Sequence, residues 1–400
     1  MANLDLMREL SVETPSKILM LVADGLGGLP GPDGLTELEA ARTPNLDQLA
    51  AESICGVSQP VLPGITPGSG PGHLALFGYD PLVFDIGRGV LEGLGIDFEL
   101  QPNDLAARGN FCTVDANGVL TDRRAGRIAT EINVELCNML RTIKIDGVEL
   151  FVEPVEGYRF LLALRGPGLA EGLTETDPQR EGLTPPPAMA RRPEAELAAR
   201  YVNEFIEKAR VMMKDKKPAN MLMLRGFSML PKLPSMQEVY KVRSAGVAVY
   251  PMYRGLAKTV GMTVFKGGHT VDDEIEVARS QWNNFDFFYV HYKWADSAGE
   301  DGNYEAKVKA LEVLDAAIPA FRSLKPDVMM VAGDHSTPSS MKAHSWHPVP
   351  FTLWAPDLYP DEVRAFSERD CRQGMLGRFP ATDVMPLAMA QAMKLQKYGA

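Results

Sequence analysis

Three runs of unbroken apolar residues each lead to a carboxylate or a histidine, and this coincidence constrains the chain more than any other feature. Lys17 to Ala23 (KILMLVA) breaks at Asp24-Gly25, Phe285 to His291 (FDFFYVH) leads within a few residues to Asp296, and Asp327 to Ala332 (DVMMVA) leads to Gly333-Asp334-His335. Short continuous runs of this kind are the pattern of strands buried on both faces. A fourth run, Val349 to Trp354 (VPFTLW), directly follows a histidine loop, His344-Ser-Trp-His347. Helical stretches lie between them, notably Tyr304 to Leu324 with apolar residues at spacings of three and four. The alternation predicts an α/β fold around a mainly parallel sheet flanked by helices.

The middle of the chain reads differently. Four hundred residues are more than one core usually organises. From roughly Ile96 to Pro234 the apolar runs are shorter, so an inserted α+β domain is expected at 96–234, with 1–95 and 235–400 joining into one core. Gly168 to Pro193 concentrates Gly, Pro, Thr and charge, which suits an exposed loop.

Forty-one basic against 52 acidic residues give a net charge of −11, which excludes non-specific binding to nucleic acid or to acidic membranes. Any anion site must then be a local basic pocket. No uncharged apolar run spans a membrane, the N-terminus lacks a secretion signal, and a cytoplasmic location is the default. The four cysteines, Cys55, Cys112, Cys137 and Cys371, form no CxxC pair and are expected to be buried thiols.

Ligands collect at the carboxyl ends of strands in an open parallel sheet, where Asp24, Asp296 and the Asp334-His335 pair all fall. One Asp after a strand often caps the next helix. Three such positions plus the histidine loop make a metal crest, and mixed carboxylate and imidazole donors suit Mn²⁺ or Zn²⁺ better than Ca²⁺. In PGITPGSGPGHLALFGYDP, Gly68 and Gly70 flank Ser69 and Pro71 stands where a helix begins. The Ser69 hydroxyl should lie among free backbone N–H groups that attract phosphate, and a divalent ion can activate it. Taken alone, the segment reads equally as an N-cap serine in a glycine-rich turn.

Together these segments resemble the alkaline-phosphatase superfamily, and within it the archaeal-type, cofactor-independent phosphoglycerate mutases. The likeness spans nearly the whole chain. It is carried by ADGLGGLP at 23–30, TPNLDQLA at 43–50, PGSGPGHLALFGYDP at 67–81, GRGVLEGLG at 87–95, DRRAGRI at 122–128, GDHSTP at 333–338 and HSWHPVPF at 344–351.

The resemblance implies an alkaline-phosphatase-like core with an inserted cap domain and a two-metal site. Asp24, Ser69, Asp334 and His335 would hold one ion; Asp296, Glu300 and His344 would hold the other. In that family the motif after the strand reads Asp-x-x-Gly-His, whereas here it is Asp296-Ser-Ala-Gly-Glu300. Glutamate exchanges a neutral imidazole for a charge, so Mn²⁺ or Mg²⁺ is expected over Zn²⁺, with Asp301 adjacent as a competitor. Gly70 stands where relatives commonly carry Asp. The implied reaction converts 3-phosphoglycerate to 2-phosphoglycerate through phosphoserine at Ser69, without bisphosphoglycerate. A small phosphorylated carboxylate needs guanidinium forks, for which the candidates are Arg108 with Asn110, Arg123, Arg124 and Arg127, Arg225, and Arg254. His73, one helical turn after Ser69, reads equally as lining the site or as a packed histidine, and His291 is expected to be a satisfied core residue. Oligomeric state is not legible. The competing readings are a phosphohydrolase or phosphotransferase acting on another small hydroxy compound such as homoserine, and a degenerate, non-catalytic homologue.

Overall fold

The computed structural model describes residues 3–31 and 33–399. The chain divides into two compact units: one runs to Asp85 and resumes at Leu233, and the other is Ile86–Lys232. The first junction precedes the one expected after residue 95, because the helix Arg88–Gly95 packs on strands of the smaller unit.

Strands are numbered along the chain. The larger unit holds β1 (Ile18–Ala23), β2 (Ile54–Gln59), β8 (Ser244–Ala248), β9 (Thr263–Lys266), β10 (Phe287–Tyr292), β11 (Val328–Ala332), β12 (Val349–Trp354) and β13 (Gly377–Pro380). The smaller holds β3 (Leu105–Val114), β4 (Leu120–Asp122), β5 (Glu149–Glu156), β6 (Arg159–Arg165) and β7 (Met221–Ser228).

Among the described residues, the larger unit forms an eight-stranded sheet in the order β13-β2-β12-β11-β1-β10-β8-β9. Every residue of β1, β10 and β11 is buried, as their unbroken apolar runs require when helices cover both faces. On one face Leu19 and Leu21, Phe288 and Val290, and Met329 and Val331 pack against Leu311, Leu314, Ile318 and Phe321 of the helix Tyr304–Arg322. Each such side chain contributes about 1.5–3 kcal/mol by leaving water.

The sheet is mainly parallel, as expected. Strand β12 is the exception and runs antiparallel to both β11 and β2. A fully buried run looks the same in either direction, so periodicity carries no sign of it.

The smaller unit is an antiparallel sheet in the order β4-β3-β6-β5, with β7 also paired to β3. Leu105, Ala107 and Phe111 of β3 and Leu222 and Leu224 of β7 face an apolar core shared with the helices Thr130–Leu140 and Glu196–Met213. The segment expected as a wholly exposed loop is partly built in. Thr176 and Asp177 are buried, with the Thr176 amide donating to Leu224 O at 3.0 Å and the Leu224 amide to Thr176 Oγ1 at 2.8 Å. The four cysteines are buried and unpaired, and no helix among the described residues is long and apolar enough to cross a membrane.

Candidate active site

Strands β11, β1 and β10 are neighbours running the same way, so their carboxyl ends open on one edge. Asp24 follows β1, Asp334 and His335 follow β11, and β10 leads into the helix Trp294–Glu300 that carries Asp296. Because β12 runs the other way, its amino end meets that same edge, and the loop before it delivers His344. Two groups of potential ligand atoms result, each within 4.8 Å of one another: Asp24, Asp334 and His335, and Asp296, His335 and His344. His335 belongs to both.

Asp24, Asp334 and His335 are fully buried. His335 Nε2 lies 3.3 Å from Asp24 Oδ1 and 3.1 Å from Asp334 Oδ2, yet neither oxygen has an aligned hydrogen-bond donor. Orphaned carboxylate oxygens in a dry interior cost several kcal/mol unless a cation faces them. Burial and the Asp334 charge push the Asp24 carboxyl up, but Lys293 and the His291 and His335 imidazoles outweigh them and hold it well below the usual range. For Asp334, burial is likewise outweighed by His335 and His73. Burial pulls His335 down, but the charges of Asp334, Asp24 and Asp296 raise it to about 9. Converging carboxylate and imidazole donors with unfilled valences fit a divalent cation.

Ser69 opens the helix Ser69–Leu76, with Gly68 as N-cap. Its Oγ lies 3.2 Å from His335 Nε2 and 3.3 Å from the Tyr253 hydroxyl. The helix can approach this closely because of Gly72, where a Cβ would stand 2.2 Å from Asp334 O. His73 is fully buried, its Nδ1 2.8 Å from Ser69 O and 3.2 Å from Asp334 Oδ2. It therefore ties the helix that opens with Ser69 to Asp334, the packed position that was one of its two expected settings.

In the second group, Thr337 Oγ1 donates to Asp296 Oδ1 at 2.8 Å and so accepts from His335 Nδ1 at 3.0 Å. His344 Nδ1 donates to Pro67 O at 3.0 Å. Each bond puts the proton on Nδ1 and turns Nε2 toward the carboxylates, the orientation a metal-ligating histidine needs. His344 Nε2 is 3.7 Å from Asp296 Oδ1 and 3.8 Å from Glu300 Oε1, whose side chain is 56% exposed. Asp301 lines a separate groove with Trp294 and Lys309.

Two residues at this edge escape sequence reasoning. Lys293 Nζ is 3.0 Å from Asp24 Oδ2 and also bonds Asp296 Oδ2, joining one carboxylate from each group. Its position three residues before Asp296 was a usable signal. Tyr253 donates to Asp24 Oδ2 and stacks on His291 with centroids 3.6 Å apart. Nothing local marks Tyr253, which reaches Asp24 from 229 residues away. His291 is not the satisfied core histidine expected: Nε2 is 3.3 Å from Asp24 Oδ2, and neither ring nitrogen has an aligned partner. Arg254 follows Tyr253 on the helix Pro251–Thr259 and donates to Val249 O.

In the smaller unit, Arg108 and Asn110 share one face of β3, and Arg225 on β7 stands directly opposite Arg108. The DRRAGRI arginines stand in different settings. Arg123 forks onto Asp177, at 3.2 Å from Nε and 2.7 Å from Nη2, while Arg124 and Arg127 are exposed on the turn after β4.

Residues 50–220 match the family model described as 2,3-bisphosphoglycerate-independent phosphoglycerate mutase. A Thermotoga maritima protein named as a probable enzyme of that kind is 50% identical over 394 residues, covering 98% of each chain. A Thermus thermophilus protein of the same name is 49% identical over 400 residues, again covering 98% of each. Among solved structures, the cofactor-independent phosphoglycerate mutase from Thermoplasma acidophilum is 32% identical with a TM-score of 0.69, over 94% of this chain and all of that one. A Pyrococcus horikoshii protein superposes with a TM-score of 0.83 at 29% identity, over 96% of this chain and 99% of its own. Agreement of this extent, over both units and the whole strand-end crest, means that the chain belongs to the 2,3-bisphosphoglycerate-independent phosphoglycerate mutase family.

Proposed function

We propose that this chain interconverts 3-phosphoglycerate and 2-phosphoglycerate through a phosphoserine at Ser69, with no bisphosphoglycerate. One observation carries the reading: Ser69 Oγ sits at a helix N-terminus, 3.2 Å from His335 Nε2, the nitrogen nearest the orphaned oxygens of Asp24 and Asp334.

Asp24, Ser69, Asp334 and His335 would hold one divalent ion, and Asp296, Glu300 and His344 the second, with Mn²⁺ or Mg²⁺ preferred to Zn²⁺ because Glu300 adds a carboxylate. When bound, such ions lower the pKa of a hydroxyl and neutralise charge on attacking and leaving oxygens. Ser69 Oγ loses its proton and attacks phosphorus in line; the Oγ–P bond forms, the P–O bond to glycerate breaks, and the released glycerate oxygen takes up one proton, balancing the one Ser69 gave up. The other glycerate hydroxyl then gives up its proton and recovers the phosphoryl group, freeing Ser69. Lys293 keeps a fixed positive charge beside Asp24 and Asp296, where phosphoryl oxygens would gather. Retention of glycerate demands exclusion of water, and the smaller unit is proposed as the substrate-binding cap.

The test is a coupled assay of the purified enzyme with 3-phosphoglycerate and Mn²⁺ and no bisphosphoglycerate. Formation of 2-phosphoglycerate without inorganic phosphate supports a mutase, whereas phosphate release without 2-phosphoglycerate makes the chain a hydrolase.

A further inference from the structure

We propose that Glu92 and Asp177 are positioning residues that hold Arg108 and Arg225 side by side as a clamp for the substrate's carboxylate. The proposal rests on the mutase reading for the identity of that substrate. Arg108 and Arg225 face one another across antiparallel strands. Like charges directly opposite in a ladder repel, so the pair needs a counterweight. The same face carries Asn110, opposite Arg159, while the other face of β3 and β7 is apolar core.

The counterweights stand at the two ends of the pair. The helix Arg88–Gly95 lies hard against β3: a Cβ on Gly89 would come 2.3 Å from Ala106 O. Arg88 and Glu92, four residues apart, share one side of that helix. Glu92 is fully buried with Oε1 3.7 Å from Arg108 Nη1. At the far end, Asp177 Oδ2 is 3.6 Å from Arg225 Nη1, and Glu175 Oε2 is 3.3 Å from Arg225 Nε. Asp177 is itself fixed by the Arg123 fork and by the Gln179 amide at 2.8 Å. The charges therefore run from the Glu92 carboxylate through two guanidiniums to the two carboxylates of Glu175 and Asp177. Burial, then the Arg88 charge, pulls Arg108 down to about 10, and the Glu92 charge opposes them.

Buried groups without partners identify what belongs between them. Arg108 Nε, a donor, and Asn110 Oδ1, an acceptor, have no hydrogen-bond partner in the protein. An α-hydroxy carboxylate brings an oxyanion for the first and a hydroxyl for the second. The carboxylate is the one charge glycerate keeps once its phosphoryl group has left, so a fork on it retains the intermediate. Glu92 is too far from Arg108 Nη1 for a hydrogen bond, so it offsets charge without occupying the fork.

The experiment uses the full-length Mn²⁺-loaded enzyme and its Glu92→Gln, Asp177→Asn and Arg225→Lys variants. Measured are kcat and KM for 3-phosphoglycerate, inhibition by glycerate and by inorganic phosphate, and Mn²⁺ content. We expect KM and the glycerate inhibition constant to rise about tenfold in each variant, with kcat, phosphate inhibition and metal content held within about threefold. A merely structural role would lower kcat and metal content together and leave the glycerate constant of the folded fraction unchanged, which overturns the proposal. Should the acidic-residue variants fail to fold, Arg225→Lys decides, since it keeps the charge and loses the fork; wild-type glycerate affinity in that variant sinks the clamp. If the wild type makes no 2-phosphoglycerate the mutase reading fails, and calorimetric binding of glycerate to wild type and Arg225→Lys still judges the clamp.

Discussion

The imidazoles of His335 and His344 stack face to face, with ring centroids 3.6 Å apart. One follows the carboxyl end of β11 and the other precedes the amino end of β12, so the contact exists only because these strands run in opposite directions. It welds the two ligand groups into one unit. His335 Nε2 turns toward Asp24, Asp334 and Ser69, and His344 Nε2 toward Asp296 and Glu300.

Ser69→Ala should abolish phosphoryl transfer while leaving the fold intact, since only the nucleophile and one ligand atom are lost. Intact-mass analysis after a substrate quench should show one added phosphate on wild type and none on the variant. A phosphate mapped to any other residue rejects Ser69 as the nucleophile.

Glu300→Ala should lower occupancy of the ion held with Asp296 and His344 and spare the ion held by Asp24, Asp334 and His335, because Glu300 reaches only His344, at 3.8 Å. Glu300→His should raise activity with Zn²⁺ relative to Mn²⁺. Elemental analysis of dialysed protein reads the first effect. Two retained ions and full activity in Glu300→Ala would return Glu300 to ordinary surface.

Tyr253→Phe removes the hydroxyl that donates to Asp24 and lies 3.3 Å from Ser69 Oγ. Loss of such an orienting bond behind a metal ligand typically weakens metal binding about 10–100-fold. Mn²⁺ titration by calorimetry should show that loss, with the melting temperature little changed; wild-type affinity would mean that Tyr253 only fills space.

Arg123→Ala should destabilise the protein by about 1–3 kcal/mol, because it removes the fork on the buried Asp177 carboxylate while the Gln179 amide and Arg225 remain beside it. Arg124→Ala and Arg127→Ala, at exposed positions, should stay within about 0.5 kcal/mol. Denaturant titration of the three variants separates them, and equal effects would contradict the observed pairing.

Glu274 on the helix Val271–Gln281 is fully buried with neither oxygen hydrogen-bonded, and burial followed by the Asp273 charge raises its carboxyl to about 9. The folded state thus holds this proton more tightly than the unfolded chain, whose ordinary value is 4.5. Its contribution is full below that value and is lost as pH rises through about 9. Between pH 5 and 9 the wild type should lose about 5 kcal/mol more stability than Glu274→Met, as measured by denaturation at each pH. Parallel pH curves for the two proteins would show that Glu274 titrates normally.

The sequence by itself determined the buried strands, because an unbroken apolar run has few other uses, and it determined the crest, because Asp24, Asp296, Asp334 and His335 follow those runs directly. The position of Ser69 at a helix start was legible from its glycines and Pro71. Strand direction was not legible, since β12 buries the same side chains whichever way it runs, and only the sheet decided that His344 meets the crest. Tyr253, His73 and His291 act through contacts that bridge distant segments, which leave no periodic trace. The arginines show the same divide: their number pointed to an anion site, but only the register of β3 on β7 set Arg108 opposite Arg225, and only folding of the 168–193 segment put Asp177 onto Arg123. Local patterns record what each segment buries, whereas pairing across the chain is decided by packing that no single segment encodes.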